Sequence, residues 1–195
     1  MVSDGTTPSV PVVLYDANVL YPFHLRNLLV QLGVNDIVRP RWTDMIHDEW
    51  IRNLAATGIV GRDRLLRTRD IMKRVLPGAD VTGYESLIDG LSLPDPDDRH
   101  VLAAAITGGA DIILTFNVRH FPASAMDPFG IACREPDGFL CELYDGDPEA
   151  VLAVADAARL NLSRTEPDQF TFLEAVAQQR LPGFAKWLRD GWASR

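Results

Sequence analysis

Residues 10–15 (VPVVLY) form a run of apolar β-formers that ends directly at an aspartate, Asp16. A strand that is apolar on both alternating faces is typical of a parallel sheet covered by helices on each side. A carboxylate at the end of such a strand is costly to bury unless hydrogen bonds, a cation or a metal replace its lost hydration. The stretch therefore predicts an α/β fold and, at Asp16, a side chain that needs a partner.

Helix and strand signals continue in this α/β manner to about residue 134. The helix signals are leucines at helical spacing, a Thr43 N-cap, and Asp95 and Pro96 at the N-cap and first position of a later helix. The predicted strands cover residues 10–15, 37–39, 111–117 and 130–133, and the predicted helices cover residues 20–32, 44–56, 62–76 and 96–107. Their order favours a three-layer α/β/α domain with a parallel sheet.

Beyond residue 134 the pattern is helical. Residues 138–144, 148–161 and 167–179 are predicted helices, residues 184–188 a final turn, and LSRTEPD (162–168) an elbow between them. The 195 residues suffice for one domain with an appendage. We therefore expect a tail at 1–9, an α/β domain at 10–134 and a helical C-terminal extension at 135–195.

Polar residues collect at one predicted edge of the sheet. Asp16 and Asn117 both follow buried strands, and ligands of parallel α/β sheets bind outside the carboxyl ends of the strands. Each residue has an ordinary alternative, since Asp16 can cap the next helix and Asn117 can be a turn residue. If the two strands are neighbours, both side chains belong to one site.

Helical phase selects Glu49 from the acids of the 44–56 helix. Glu49 shares a face with Trp42 and Met45, whereas Asp48 lies beside Arg52, where an ion pair four residues apart would occupy it. Glu49 is therefore the expected inward-facing acid.

The same phase argument selects Asp98 from the DPDD run. Asp98 precedes Val101 and Leu102 on the apolar stripe, whereas Asp97 shares a face with His100 and is expected to be exposed. Asp97 remains the alternative to Asp98.

Asp16, Glu49, Asp98 and Asn117 lie in the segments YDANVL, HDEWIRN and DPDDRHVLAAAITGGADIILTFNVRHFP. Together these three segments resemble the PIN-domain family of metal-dependent ribonucleases. The likeness is greatest to the VapC toxins of toxin–antitoxin systems and covers residues 10–134. It implies an endoribonuclease, with these four residues at the catalytic site and with Asp16 and Asp98 as direct ligands of Mg²⁺ or Mn²⁺. Oxygen ligands also suit these hard ions on chemical grounds.

One position departs from the family pattern. Many PIN domains end this later strand with an aspartate, and here the matching residue is Asn117. An amide keeps an acceptor for a metal-bound water but removes a negative charge, so an inactive PIN-like module is an alternative. A haloacid-dehalogenase-type phosphatase is another, although Asn18 stands where that chemistry commonly uses a second acid.

The net charge of −8 excludes a protein that coats nucleic acid by bulk electrostatics. Residues 39–74 nevertheless hold nine of the 19 Lys and Arg residues, and we expect RNA phosphate contacts from this segment and near the site. The candidate RNA-binding residues are Arg62, Arg64, Arg67, Arg69 and Arg119. The alternative is a solvated helix face with Asp63/Arg67 and Asp70/Arg74 pairs.

The remaining expectations concern location and partners. The chain shows no secretion-signal pattern and no membrane-spanning run, which predicts a cytoplasmic protein that does not bind membranes. Two cysteines without zinc-finger spacing predict ordinary thiols. The resemblance implies an antitoxin protein as partner besides RNA, and apolar tail residues such as Phe170, Phe172 and Trp187 are candidates for that interface, for a homodimer contact or for core packing.

Overall fold

The central feature of the fold is a four-stranded, fully parallel sheet in the order β2-β1-β3-β4. It is taken from a computed structural model that describes residues 10–162 and 168–195, so the predicted tail at 1–9 and most of the elbow lie outside the described residues. The strands are β1 (Val12–Tyr15), β2 (Arg39–Arg41), β3 (Ile112–Leu114) and β4 (Ala132–Arg134). The predicted parallel sheet is confirmed. Strands β1, β3 and β4 are shorter than predicted, and β2 lies two residues later than predicted.

Strand β1 lies in the interior of the sheet and is covered on both faces. Its consecutive residues Val13, Leu14 and Tyr15 are all fully buried, which requires helices above and below the sheet. The fold is therefore the predicted three-layer α/β/α arrangement, and its apolar core surrounds β1 and β3.

Ten α-helices are described, together with short 3₁₀ turns. They are α1 (Ala17–Leu20), α2 (Phe23–Val34), α3 (Asp44–Ala56), α4 (Arg62–Val75), α5 (Arg99–Thr107), α6 (Ala123–Met126), α7 (Pro136–Gly146), α8 (Pro148–Leu160), α9 (Gln169–Gln178) and α10 (Pro182–Ala193). The Thr43 cap is confirmed, because its side chain accepts a hydrogen bond from the N–H of Ile46 at 3.1 Å. Asp95 caps a 3₁₀ turn over Pro96–Asp98 that leads into α5.

The helix predicted over 20–32 differs from the structure at both ends. The helix predicted over 20–32 is divided into α1 and α2, with Pro22 at the extended position that starts α2. Gly33 does not end α2 but lies inside it, where a Cβ would come within 2.8 Å of Cγ of Pro40. The glycine therefore allows α2 to approach β2 closely.

The C-terminal extension packs on the α/β domain through α2. Asn27 donates to the carbonyl of Ala158 at 2.7 Å, and the N–H of Leu25 donates to Gln179 at 2.9 Å. Phe172 is fully buried in a core that is continuous with that of the sheet, as expected for core packing. Phe170, in contrast, is 64% exposed.

The chain ends in a longer helix than the sequence predicts. The final turn expected at 184–188 is the middle of the twelve-residue helix α10, which buries Phe184 and Leu188. Pro182 stands at its start, where the missing N–H costs no helical hydrogen bond.

Helix α4 carries the basic segment on the surface. Arg62, Arg64 and Arg67 are exposed, and Asp70 pairs with its chain neighbour Arg69 at 2.8 Å rather than with Arg74. The expected Asp70/Arg74 pair is therefore not the one that forms, because the Arg69 side chain already reaches that carboxylate. Among the described residues, no helix has the length and apolar character that crossing a membrane requires.

Candidate active site

The register of the sheet brings the ends of β1 and β3 together. Tyr15 lies opposite Leu114, and the N–H of Asp16 donates to the Leu114 carbonyl at 3.1 Å, so the next residues, Asp16 and Thr115, are neighbours. Asn117 follows two residues later, at the start of a 3₁₀ turn. The expectation that the strands before Asp16 and Asn117 are adjacent is confirmed.

Asp16 lies in a nearly closed pocket of hydrogen-bond donors and is only 3% exposed. One carboxylate oxygen, Oδ1, accepts from the N–H of Ala17 at 2.6 Å. The other, Oδ2, accepts from Nδ2 of Asn18 and from Oγ1 of Thr115, both at 2.6 Å. These donors fix the carboxylate at the strand end, and they are the partners that the sequence left unidentified.

Burial nevertheless raises the pKa of Asp16 from 3.8 to about 7. The Thr115 hydrogen bond opposes this shift, whereas the negative charges of Asp98 and Glu49 add to it. Three carboxylates from β1, α3 and the turn before α5 thus lie within electrostatic range of one another. We name Asp16, Glu49, Asp98 and Asn117 the acidic mouth.

Glu49 lies on the rim of the mouth rather than in the core. Its side chain is 35% exposed and partly buried, while Asp48 is exposed, so Glu49 is the more inward acid. The predicted stripe is wrong in one respect, since Met45 is 49% exposed and the buried face of α3 carries Ile46, His47 and Trp50. Burial raises the pKa of Glu49, and the Asp98 charge raises it further.

Asp98 occupies the outer part of the mouth, where Asp97 is exposed and Asp98 is partly buried. Its Oδ2 lies 2.6 Å from Nδ1 of His120, and Asp95 lies 3.7 Å from the same nitrogen. His100, expected on the exposed face with Asp97, is instead 5% exposed, with Nε2 3.8 Å from a Glu49 oxygen. The 3₁₀ turn over Pro96–Asp98 changes the helical phase on which that expectation depended.

Asn117 contributes its backbone to the strand end. Its N–H donates to Oγ1 of Thr115 at 3.0 Å, and its carbonyl accepts from the N–H of His120 at 2.8 Å. Arg119, between these residues, is exposed at the same edge of the sheet. The loop after β3 therefore contacts Asp16 through Thr115 and Asp98 through His120.

The donor set fits a divalent cation. Within the described part of the chain, one ligand atom each from Asp95, Asp98 and His120 lie within 4.8 Å of one another, a spacing compatible with a single ion. The Asp98 charge raises the pKa of both Asp16 and Glu49, and a cation between these carboxylates would relieve that repulsion. This group contains Asp98 but not Asp16, so the role of Asp16 as a direct ligand stays a prediction.

Sequence reasoning missed Thr115, Asn18, Asp95 and His120. A signal existed for three of them, because Thr115 and Asn18 lie within three residues of a predicted strand end and His120 follows Asn117 by one 3₁₀ turn. For Asp95 the sequence indicates capping alone, and Asp95 does accept from the N–H of Asp97 at 3.0 Å.

Comparison with protein families agrees with this fold. The model of the PIN domain matches residues 12–119, more than half of the chain, and the model of the VapC50 C-terminal domain matches residues 136–190. This chain belongs to the PIN domain family, as the sequence resemblance predicted, and its C-terminal extension is similar to the VapC50 C-terminal domain.

One relative makes the likeness more specific. The chain is 43% identical over 72 residues to a protein of Mycobacterium tuberculosis (strain ATCC 25618 / H37Rv) named Putative ribonuclease VapC50. The alignment covers 37% of this chain and 42% of that protein, so it spans less than half of the relative's length. No solved structure matches the chain.

Proposed function

We propose that this chain is an endoribonuclease that requires Mg²⁺ or Mn²⁺ and acts as the toxin of a type II toxin–antitoxin pair. The observation that carries the proposal is the acidic mouth, in which the charges of Asp98 and Glu49 both act on the buried Asp16 carboxylate. The PIN domain match and the ribonuclease named among its relatives support the same reaction class. The expected products carry 5′-phosphate and 3′-hydroxyl ends.

The ion would be held by Asp16 and Asp98, with His120 and Asp95 beside Asp98. When bound there, it supplies Lewis-acid stabilisation of the negative charge that develops on the scissile phosphate. Thr115 and Asn18 hold the Asp16 carboxylate in one orientation through their 2.6 Å hydrogen bonds. Fixed ligands of this kind need no rearrangement when the substrate arrives.

Glu49 has the exposure and charge expected of a general base that activates a water molecule. It is the partly exposed acid of the mouth, and burial and the Asp98 charge both raise its pKa, which improves its capacity to take a proton. In the proposed reaction, Glu49 orients the attacking water and accepts its proton at a carboxylate oxygen. As the water oxygen bonds to phosphorus, the bond from phosphorus to the 3′-oxygen breaks, and the leaving 3′-oxygen takes a proton from solvent water. Asn117 completes the outer ring as a neutral acceptor.

The mouth is acidic, so affinity for RNA must come from cations around it. The exposed residues Arg62, Arg64 and Arg67 of α4, together with Arg69, are the proposed phosphate contacts, and Arg119 is a further one at the edge of the mouth. The other proposed partners are a cognate antitoxin protein and, in a homodimer, a second copy of the chain. A cytoplasmic location accompanies this function.

The direct test is a cleavage assay with purified full-length chain on structured and unstructured RNAs. We expect cleavage with Mg²⁺ or Mn²⁺ that EDTA abolishes, and a loss of about 100- to 1,000-fold in Asp16→Ala, because a direct ligand is removed. Titration of Mn²⁺ into both proteins, followed by calorimetry, reports metal binding independently of cleavage.

Matched control variants exclude a general effect of lost charge. Asp48→Ala and Asp97→Ala remove exposed acids next to Glu49 and Asp98 and should retain cleavage. If the wild type binds neither ion and cleaves none of the RNAs, the nuclease proposal is wrong and the inactive PIN-like module, to which Asn117 points, replaces it.

A further inference from the structure

The C-terminal extension reaches the edge of the sheet that carries the acidic mouth. Arg180, in the turn between α9 and α10, places its guanidinium carbon 4.2 Å from the centre of the Phe116 ring. Phe116 lies between Thr115 and Asn117, directly after β3. A cation from the extension therefore lies beside the loop that forms one side of the mouth.

Hydrogen bonds connect Phe116, on which Arg180 stacks, to the Asp16 carboxylate. The N–H of Phe116 donates to Oδ1 of Asn18 at 3.0 Å, and Nδ2 of Asn18 donates to Asp16 at 2.6 Å. The aromatic ring under Arg180 is thus attached to the same network that orients Asp16. The ring on which Arg180 stacks is therefore fixed at the strand end that carries Asp16.

The backbone of the extension holds Arg180 in place. Arg180 has a left-handed φ of 65°, a conformation that non-glycine residues adopt uncommonly. The residues on both sides are anchored, because Gln179 accepts from the N–H of Leu25 and Leu181 is fully buried. The turn therefore presents the Arg180 side chain outward at a fixed point.

Its donors remain available to a ligand. The side chain is 64% exposed, and its acidic neighbour Glu135 is also exposed and lies 3.7 Å away. Such surface pairs contribute little and exchange readily with water. A guanidinium that is stacked on an aromatic ring has a fixed plane, and its fork of N–H groups matches the oxygens of a phosphate.

We propose that Arg180 is a substrate-binding residue, which binds a phosphate of single-stranded RNA beside the acidic mouth, so that the C-terminal extension supplies part of the RNA site. The inference rests on the proposed ribonuclease function. It adds a cation beside Phe116, on the loop whose Thr115 contacts Asp16 and whose His120 contacts Asp98, at a position distant in sequence from the arginines of α4.

The test compares Arg180→Ala and Arg180→Lys with Arg189→Ala, which removes the same charge from an exposed position on α10. Steady-state cleavage with Mg²⁺ should show KM for a fluorescein-labelled single-stranded RNA raised about tenfold in Arg180→Ala, with kcat little changed. Arg180→Lys keeps the charge but not the planar fork, so its KM should be intermediate. Arg189→Ala should resemble the wild type.

Equilibrium binding gives a second readout that does not need turnover. In an Asp16→Ala background, Arg180→Ala should lower the slope of log affinity against log salt by about 0.7, the value expected when one phosphate of single-stranded RNA is no longer neutralised. Glu135→Gln should leave RNA affinity unchanged or raise it, because it frees the guanidinium. Thermal unfolding of each variant shows that the fold is intact.

The outcomes separate this inference from the proposed function. If the wild type cleaves RNA and Arg180→Ala matches Arg189→Ala in KM and salt slope, the inference is wrong and the function stands. If Arg180→Ala and Glu135→Gln lower the melting temperature equally without changing RNA affinity, Arg180 is a structural ion-pair residue only. If the wild type binds RNA without cleaving it, a weaker Arg180→Ala complex still supports the inference and the function fails.

Discussion

The candidate metal-binding groups form an inner and an outer part, and the two parts are built differently. The inner part is Asp16, 3% exposed and held by three hydrogen bonds at 2.6 Å from the sheet and the residues that follow it. The outer part is Asp98 with Asp95 and His120, all partly exposed and positioned by 3₁₀ turns. The inner carboxylate cannot move without disturbing β1 and β3, whereas the outer one can exchange His120 for another partner.

This difference assigns the two parts different tasks in the proposed reaction. A rigid carboxylate fixes where an ion sits, and an adjustable cluster can change its ligands when RNA arrives. The burial that fixes Asp16 also raises its pKa to about 7, so the inner part is held at a cost to folding that the exposed part avoids.

At the outer carboxylate we expect a loss of cleavage comparable to that of Asp16→Ala, the largest effect among the outer residues. Asp98→Ala should lower Mg²⁺-dependent cleavage about 100-fold or more, since it removes a proposed ligand whose charge also acts on Asp16 and Glu49. Asp97→Ala changes the adjacent exposed acid and should change cleavage less than threefold. A reversed order would make Asp97 the ligand and would contradict the geometry of the outer part.

The rigidity of the inner part is tested at Thr115. Thr115→Val keeps the volume but removes the donor to Asp16 and the acceptor for the N–H of Asn117. We expect Mn²⁺ affinity, measured by calorimetry, to fall about 10- to 100-fold. Thr115→Ser retains the hydroxyl and should recover most of the affinity; equal losses in both variants would mean that packing, not the hydrogen bond, matters here.

A smaller effect is expected at His120, because the outer part can adjust. His120→Ala removes the group 2.6 Å from Asp98 and should weaken Mn²⁺ binding by roughly tenfold or less, below the loss in Thr115→Val. His120→Gln keeps a polar group at the position and should lie between wild type and alanine. A loss larger than that of Thr115→Val would contradict the distinction between a rigid inner and an adjustable outer part.

The raised pKa of Asp16 predicts how the metal-free protein responds to pH. The folded protein keeps this proton up to about pH 7, whereas the unfolded chain releases it near the ordinary value of 3.8. The folded state therefore binds more protons in this window, and the free energy of unfolding should fall as pH rises from about 4 to about 7, by on the order of a few kcal/mol.

Urea denaturation at several pH values, in the presence of EDTA, measures this dependence. Asp16→Ala should flatten it, while Asp97→Ala, which alters an exposed acid, should not. Identical pH profiles for wild type and Asp16→Ala would show that Asp16 ionises normally in the folded state.

The smallest effect per residue is expected from the arginines of helix α4. Replacing Arg62, Arg64, Arg67 and Arg69 with alanine should reduce the salt dependence of RNA binding by about 0.7 for each phosphate that these arginines neutralise. Fluorescence anisotropy at several salt concentrations measures the slope. Lys186→Ala with Arg189→Ala on α10 is the control, and an unchanged slope in the fourfold variant would remove α4 from the RNA site.

Several features of the fold could be predicted because they follow from local patterns. The apolar residues of β1, the Thr43 cap and the Asp95–Pro96 start each depend on a few neighbouring residues, and each is confirmed. Gly33 shows the limit of such reasoning. The local pattern predicts that it ends a helix, but its role depends on Pro40 in a strand seven residues later.

The sequence by itself determined the α/β order, the helical extension and the acids at the strand ends, since hydrophobic periodicity and capping chemistry act over short distances. Only the tertiary structure decided which groups satisfy Asp16, because the partner Thr115 lies 99 residues away and meets it through the register of β1 and β3. It also decided that His120 reaches Asp98 and that Arg180 reaches Phe116. Contacts between distant segments depend on the packing of the whole chain, which no local pattern determines.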